Sequence, residues 1–154
     1  MKKTILGVML AAGALLAAPA QALDSDLRIK GYMVSVDGDD SAATNLGVVY
    51  GLDFLGMIGA EFEASTTISD GEYAGEDYSV TQVGGFATLM TPGPIYFKAK
   101  AGLLYNDFEI GGFSDTNTDP AYGLGLGLFG LEIEYTRSKL GEADLDMLTV
   151  AFGF

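Results

Sequence analysis

Four pairs of charged residues in this 154-residue chain have the spacing of side chains that act together. In each pair one residue separates two like charges, so both members would share one face of a β-strand. The pairs are Arg28 and Lys30, Glu61 and Glu63, Lys98 and Lys100, and Glu132 and Glu134. Neighbouring carboxylates can serve as general acid and base, whereas carboxylates that face bases form ion pairs and stay ionised and inert.

The composition excludes most other chemistry. The chain has no Cys and no His, which excludes disulfides, the usual zinc sites and every triad that depends on His. No nucleophile-elbow, phosphate-loop or metal-triad motif is present. We therefore predict no catalytic residue, no metal site and no cofactor. Eight bases against twenty-one acids give a net charge of −13, which argues against a nucleic-acid partner.

A second group of acids lies on the side of the predicted long polar loops. Residues 115–119, Asp-Thr-Asn-Thr-Asp, match the first ligands of a calcium loop, but Pro120 and Leu126 stand where that loop needs Gly and Glu. This region therefore predicts a solvated acidic surface or loose association with divalent cations. Only Arg137 and Lys139 oppose its fourteen carboxylates, which are Asp37, Asp39, Asp40, Asp70, Glu72, Glu76, Asp77, Asp107, Glu109, Asp115, Asp119, Glu142, Asp144 and Asp146.

Residues 1–22 have the pattern of a secretory signal peptide. Lys2 and Lys3 precede an apolar run of fourteen residues, and Ala20-Gln21-Ala22 is a small-x-small cleavage site. The run is shorter than the ~20 residues of a membrane helix, which disfavours an uncleaved anchor. We predict cleavage before Leu23 and a single domain over residues 23–154, in which six bases and twenty-one acids give a net charge of −15.

The predicted mature chain alternates between apolar and small or polar residues with a period of two. Residues 121–128 show this best, because Tyr and Leu alternate there with three glycines. The pattern predicts eight strands at 27–36, 44–54, 57–68, 78–90, 94–108, 120–129, 131–140 and 145–154. Short turns alternate with longer polar loops, among them 69–77 and 109–119. This layout predicts an all-β fold, an eight-stranded antiparallel up-and-down transmembrane β-barrel.

Alternation alone does not decide which face is outside, and a soluble secreted barrel that binds an apolar ligand is the alternative. Charges within the predicted strands are few and lie beside glycines, which favours an inward charged face. The opposite face carries aromatic residues near both strand ends, as the girdles of membrane barrels do. These residues are Tyr50, Phe54, Phe97, Tyr105, Tyr122, Tyr135 and Phe152.

The last predicted strand turns Leu148, Val150, Phe152 and Phe154 to one side. A final amphipathic strand closed by Phe resembles the C-terminal assembly signal of bacterial outer-membrane proteins. Together with segments 95–102, 122–125 and 131–135, it makes the chain similar to the small OmpA/OmpX-like eight-stranded barrels of the porin-like superfamily. This resemblance implies a location in the outer membrane of a Gram-negative cell envelope. Functions within that superfamily include structural, adhesive, pore-forming and lipid-modifying roles.

With the apolar face toward lipid, the four charged pairs point into the lumen. They come from the first, third, fifth and seventh predicted strands, and their signs alternate from each of these strands to the next. We predict a closed ring of ion pairs in the periplasmic half, in which long side chains cross the glycines of the strands between them. The inward face of strand 78–90 is undecided, because Val80, Gln82, Gly84, Phe86 and Thr88 are mixed in character.

These observations predict a structural or surface-interacting barrel with acidic loops and a plugged lumen. The alternative is a narrow ion-conducting pore that is gated by exchange of the lumenal ion pairs. An enzyme is disfavoured, because envelope barrels that act on lipid or protein rely on a His that this chain lacks. The expected partners are outer-membrane lipid, lipopolysaccharide and the outer-membrane assembly machinery, and the barrel is expected to be a monomer.

Overall fold

A computed structural model describes residues 24–37, 41–54, 56–140 and 143–153. The predicted signal peptide and Phe154 lie outside this range. Among the residues described, no helix is long and apolar enough to cross a membrane. The described residues form nine strands: β1 (Asp24–Val36), β2 (Ala43–Phe54), β3 (Ile58–Ser69), β4 (Gly71–Tyr73), β5 (Glu76–Met90), β6 (Ile95–Ile110), β7 (Phe113–Leu128), β8 (Leu131–Leu140) and β9 (Ala143–Gly153).

The sheet closes on itself. All pairings are antiparallel, β9 pairs with β1, and β3 pairs with β5. The short strand β4 pairs with the edge of β5 that β3 also uses, so β3 and β4 occupy one position in the barrel. The nine strands therefore fill eight positions. The predicted eight-stranded antiparallel up-and-down barrel is confirmed.

Strand pairing also sets the tilt of the barrel. One circuit of paired residues that starts at Ile95 returns to the same strand ten residues later, at Tyr105 (105 − 95 = 10). The intermediate residues are Leu128, Leu131, Phe152, Ile29, Val48, Ala64 and Val83. With strands ~4.8 Å apart and a rise of ~3.3 Å per residue, this offset corresponds to a strand tilt of about 40°.

The outer face of the barrel is an apolar belt. Along β6 it runs from Ile95 to Tyr105, which is ~33 Å of strand and about 25 Å along the axis of the tilted barrel. That height matches the ~25 Å apolar band of outer-membrane barrels. The predicted girdle residues lie on this face, with Tyr50 half-buried and the others exposed, namely Phe54, Phe97, Tyr105, Tyr122, Tyr135 and Phe152.

Two connections predicted to be long polar loops are wrong. Residues 109–119 belong mostly to a hairpin, in which β6 and β7 are joined by a two-residue turn at Gly111 and Gly112, both with positive φ. Residues 69–77 likewise contain β4 and a turn at Ala74 and Gly75. Loss of apolar alternation ends the signal for a membrane strand, but the backbone ladder continues into water because its hydrogen bonds do not require apolar side chains.

The corrected hairpin changes the reading of the calcium-like segment. Residues 115–119 lie within β7 as extended strand, where successive side chains point to opposite faces. Asp115 and Asp119 share one face but lie ~13 Å apart along the extended strand, so they do not curl around a common centre as the ligands of a calcium loop do.

Candidate functional site

The strands bring all eight predicted charged side chains into the interior. β1 carries Arg28 and Lys30, and β3, β6 and β8 carry the other three pairs, toward the barrel end with the short turns. We call this end the short-turn end and the opposite end the loop end. None of the eight residues is more than 7% exposed. Because an unpaired buried charge costs several kcal/mol, each of them needs a partner of opposite sign.

The layer nearer the short-turn end is a closed circuit of four residues. Arg28 contacts Glu61 at 2.6 Å and Glu132 at 3.1 Å. Lys98 contacts the same two carboxylates, at 3.0 Å for Glu61 and 2.5 Å for Glu132. Each base thus bridges two acids, and each acid bridges two bases.

A second circuit lies next to the first, on the side of the loop end. Lys30 contacts Glu63 at 2.9 Å and Glu134 at 2.5 Å, and Lys100 contacts the same pair at 2.6 and 2.7 Å. Lys98 joins the layers through a 2.6 Å contact with Glu134. Four bases and four acids give the cluster a formal charge of zero. We call these eight residues the ion ring.

Glycines on the intervening strands let the long side chains cross. A Cβ atom on Gly51 would stand 3.0 Å from the Arg28 guanidinium, and one on Gly153 would stand 3.1 Å from Cγ of the same arginine. On the strand between β3 and β6 the neighbour is Phe86, whose ring centroid lies 4.1 Å from the ammonium of Lys100. This is cation–π geometry, and the sequence analysis did not identify it.

Strand 78–90, whose orientation the sequence left open, turns its mixed face inward. Val80, Gln82, Phe86 and Thr88 are all buried, and Gly84 lies among them. Gln82 donates a hydrogen bond of 2.8 Å to Asn106 on the adjacent strand. The mixed character has a physical reason, because this face contacts the ion ring at one end and apolar side chains at the other.

The short-turn end of the ion ring has two further members that the sequence analysis missed. The hydroxyl of Tyr96 donates a 2.9 Å hydrogen bond to Glu132, and its ring crosses Gly127 so closely that a Cβ there would lie 2.0 Å from Tyr96 Cζ. Asp26 contacts Arg28 Nε at 2.5 Å. Each lies two residues before a base of the ring, a spacing that could have indicated the shared face.

Toward the loop end the interior is filled by apolar and uncharged polar side chains, among them Gln82 and Asn106, which the prediction of a lumen filled by ion pairs did not include. Tyr78 and Phe108 stack there with ring centroids 5.5 Å apart. The hydroxyl of Tyr78 donates to the carbonyl of Val34 at 2.7 Å and accepts from the backbone N–H of Ala43 at 3.1 Å. We call the cluster of buried apolar residues that begins against the ion ring and continues toward the loop end the apolar plug: Tyr32, Val34, Val36, Ala43, Tyr78, Val80, Phe86, Leu104, Phe108, Ala121, Leu145 and Met147.

The ion ring offers little to a metal ion or a substrate. Oxygens of Glu61, Glu63 and Glu134 lie within 4.8 Å of one another, which is close enough to share a cation. Lys30 and Lys100 already hold ammonium groups against Glu63 and Glu134. The positive charge that a metal would supply is therefore present as protein side chains.

The rim at the loop end is acidic. Eleven of the fourteen carboxylates predicted there lie within the described residues, and Asp39, Asp40 and Glu142 lie outside them. Arg137 forms a bidentate pair with Asp146, at 2.7 and 2.9 Å. Lys139 pairs with Asp144, and this hydrogen bond raises the pKa of the Lys139 ammonium.

The final strand β9 closes the barrel between β8 and β1. Leu148, Val150 and Phe152 lie on its exposed outer face, while Thr149 and Ala151 are buried. Phe154, the fourth residue of the predicted assembly signal, lies outside the described range. Recognition of this strand by assembly machinery stays a prediction.

Three solved structures share this architecture. Ail, the attachment invasion locus protein of Yersinia pestis, in complex with the heparin analogue sucrose octasulfate, aligns with a TM-score of 0.58 and 17% identity over 87% of this chain and 100% of its own. Neisserial surface protein A aligns with a TM-score of 0.64 and 12% identity, covering 86% and 96% of the two chains. The N-terminal β-barrel domain of OprF from Pseudomonas aeruginosa gives 0.54 and 14%, covering 84% and 97%.

No protein-family model and no curated protein sequence matches the chain. At such low identities the three structures inform on the fold alone. The closed antiparallel strand order agrees with that comparison. The chain has the fold of the small eight-stranded outer-membrane β-barrels.

Proposed function

We propose that this chain is an integral outer-membrane β-barrel that presents an acidic rim at the cell surface and whose lumen is plugged. The observation that carries the proposal is the inverted polarity of the barrel. Charged residues are buried inside, and large apolar residues such as Leu124 and Phe97 are exposed outside. An apolar belt that surrounds the whole barrel is far larger than the few hundred Å² that soluble monomers expose.

The same polarity argues against a soluble barrel that holds an apolar ligand. Such a protein needs its charged face in water and its apolar face around the ligand. Here the side chains that would have to face water are eight charged residues in mutual contact. Turning them outward would expose the glycines beside them and leave the belt inside a lumen that is too narrow for it.

Two obstructions, one after the other along the axis, support a lumen that does not conduct. The ion ring occupies the cross-section toward the short-turn end, and the apolar plug occupies it toward the loop end. A pore gated by exchange of ion pairs would require both to open, because the ion ring alone does not control passage through the apolar plug. The plugged form is therefore favoured over the narrow pore.

The roles at the surface follow from charge. Ail is described in complex with a sulfated heparin analogue. The rim of this chain carries eleven described acids against Arg137 and Lys139, a net charge of −9, which repels polysulfates. We propose that the rim binds cationic partners at the cell surface. We further propose that the barrel is a monomer without enzymatic activity, that outer-membrane lipid and lipopolysaccharide surround it, and that the assembly machinery is a transient partner.

Gel mobility of the mature protein from isolated outer membranes tests the location and the fold. Folded membrane barrels resist detergent and migrate differently until they are heated, so we expect a shift on boiling in the outer-membrane fraction. Protein recovered free in the periplasm, with no shift, would overturn the proposal. Planar-bilayer recording then tests the plug: we expect no steady conductance from the wild type, and discrete ion currents would favour the pore.

A further inference from the structure

The part of β7 nearest the loop end pairs with a neighbouring strand on one side only. Its pairing with β6 continues to the tip of the hairpin, where Ile110 is opposite Phe113. Its pairing with β8 starts only at Tyr122, opposite Arg137. Among the residues that the structure describes, none pairs with 113–121 on the side away from β6, so these residues present an open sheet edge.

β8 leaves β7 after Arg137 and continues for three residues paired with β9 alone. β8 ends at Leu140, which pairs with Ala143 at the start of β9. The last contact across the gap is a 3.1 Å hydrogen bond from the Ser138 hydroxyl to the carbonyl of Pro120. On the loop-end side of Pro120, the seven residues 113–119 of β7 remain paired with β6, which is ~23 Å of strand at the usual rise. This length is sufficient for an additional strand to pair.

We propose that residues 113–119 bind an extended basic segment of another protein as an added strand. Open edges offer N–H and C=O groups that no neighbouring strand pairs, and added strands take their affinity from these groups and their specificity from alternate side chains. On this edge the N–H of Thr116 donates to the Asp115 carboxylate at 2.9 Å and the Asn117 amide donates to Asp119 at 2.5 Å, so an added strand would exchange these local hydrogen bonds for its own. Asp115 and Asp119 lie on one face of this strand with Asn117 between them. Bases at every second position of the added strand would lie opposite these acids. Phe113, which is 81% exposed, provides an apolar contact at the tip.

A second copy of this chain fits the edge less well. Two copies in one membrane direct their hairpins to the same side, so equivalent edges cannot pair in the antiparallel sense. Asp115 and Asp119 would also bring like charges together. Acids and proline on an edge are a known protection against self-association. On this strand the acids disfavour pairing with a second copy of the chain and leave the edge available to a strand of opposite charge.

The first experiment separates strand pairing from simple charge attraction. The probe is a fluorescein-labelled peptide of four lysines that alternate with three valines, titrated against the folded mature protein in detergent micelles. Two isomers carry three backbone N-methyl groups each, one on the three valines and one on the last three lysines. Alternate N–H groups of a strand point to opposite edges, so we expect one isomer to lose affinity about tenfold or more while the other changes little.

Hydrogen exchange provides the second readout. We expect the unmodified peptide to slow amide exchange within 113–119 and to leave the membrane-spanning strands unchanged. Equal binding of both isomers, or binding with no change in exchange at 113–119, would mean general attraction to the acidic rim and would overturn the inference.

Matched charge variants locate the site. Asp115→Asn combined with Asp119→Asn is expected to weaken binding about tenfold, because both lie on the open strand. The control, Asp107→Asn with Glu109→Gln, removes the same charge from β6, which is paired on both edges there. Equal losses in the two variants would refute the edge as the site.

The inference relies on the proposed barrel for the outward direction of the hairpin, but the two can fail separately. Each variant must first show the heat-dependent mobility shift of a folded barrel. A protein that shows the shift and does not bind the peptide overturns the inference alone. A protein without the shift overturns the proposed barrel.

Discussion

Replacement of Lys98 by Met should destabilise the barrel more than any other single change of a basic residue in the ion ring. Its ammonium contacts three carboxylates, Glu61, Glu132 and Glu134, at 3.0, 2.5 and 2.6 Å, and joins the two layers. Methionine fills a similar volume without the charge, so three bases would face four acids in a site closed to water. Loss of one partner of a buried ion pair costs about 3–5 kcal/mol, and we expect a loss of that size in the free energy of unfolding.

The fraction of protein that migrates as the folded form, measured across a urea series in lipid vesicles, reports this stability. The absence of Trp makes gel mobility preferable to tryptophan fluorescence. The control is Lys139→Met, which removes a 54% exposed ammonium paired with Asp144. Exposed pairs contribute about 0–1 kcal/mol, so this variant should unfold close to the wild type.

A double variant tests whether the cost arises from unbalanced charge. Lys98→Met combined with Glu132→Gln restores neutrality and leaves Arg28 its contact with Glu61. We expect the double variant to lose about 1–3 kcal/mol less free energy of unfolding than the two single variants lose together. Additive losses, or a Lys98→Met variant as stable as Lys139→Met, would refute the reasoning that the ion ring balances charge.

Three further predictions concern positions outside the ion ring. Gly127→Ala should lower the free energy of unfolding by about 1–3 kcal/mol, because its methyl group collides with the Tyr96 ring, and a second change, Tyr96→Ala, should relieve that collision in the same urea series. Tyr78→Phe removes a hydroxyl that hydrogen-bonds to backbone groups of Val34, Ser41 and Ala43 and should cost about 1–3 kcal/mol; an unchanged urea midpoint would mean that the hydroxyl does not stabilise the plug. Asp146→Asn should weaken the pair with Arg137, with a cost of about 1 kcal/mol or less that disappears in high salt, whereas a cost that persists at 1 M salt would contradict this surface-pair interpretation.

Features of this barrel that depend on local alternation were predictable from the sequence. The period of two separates the residues of a strand into two faces, and it placed Lys98 and Glu132 on the same side as glycines and opposite Leu and Phe. Strand existence and direction followed, because turns and side-chain parity are properties of neighbouring residues. The sign alternation among the four charged pairs was likewise visible before any contact was known.

The predictions that failed concern segments where the apolar pattern stops. Residues 109–119 lack apolar alternation, yet they extend β6 and β7 into water because the backbone ladder does not depend on hydropathy. Strand 78–90 showed a mixed face, and nothing local distinguishes a lipid-facing Phe86 from one that covers the ammonium of Lys100. The apolar plug was also missed, although parity places Val34 on the inward face of Lys30, because the prediction followed the charges of that face and not the apolar residues beyond them.

Only the tertiary structure decided which individual side chains meet within each layer of the ion ring. The ten-residue offset around the barrel determines that Arg28 lies opposite Glu61 and Glu132, and that Tyr96 reaches across Gly127. That offset is a property of the closed sheet, since it is the sum of eight pairings that involve residues far apart in the chain. The sequence by itself determined the two faces of each strand, and closure of the barrel determined which side chains meet.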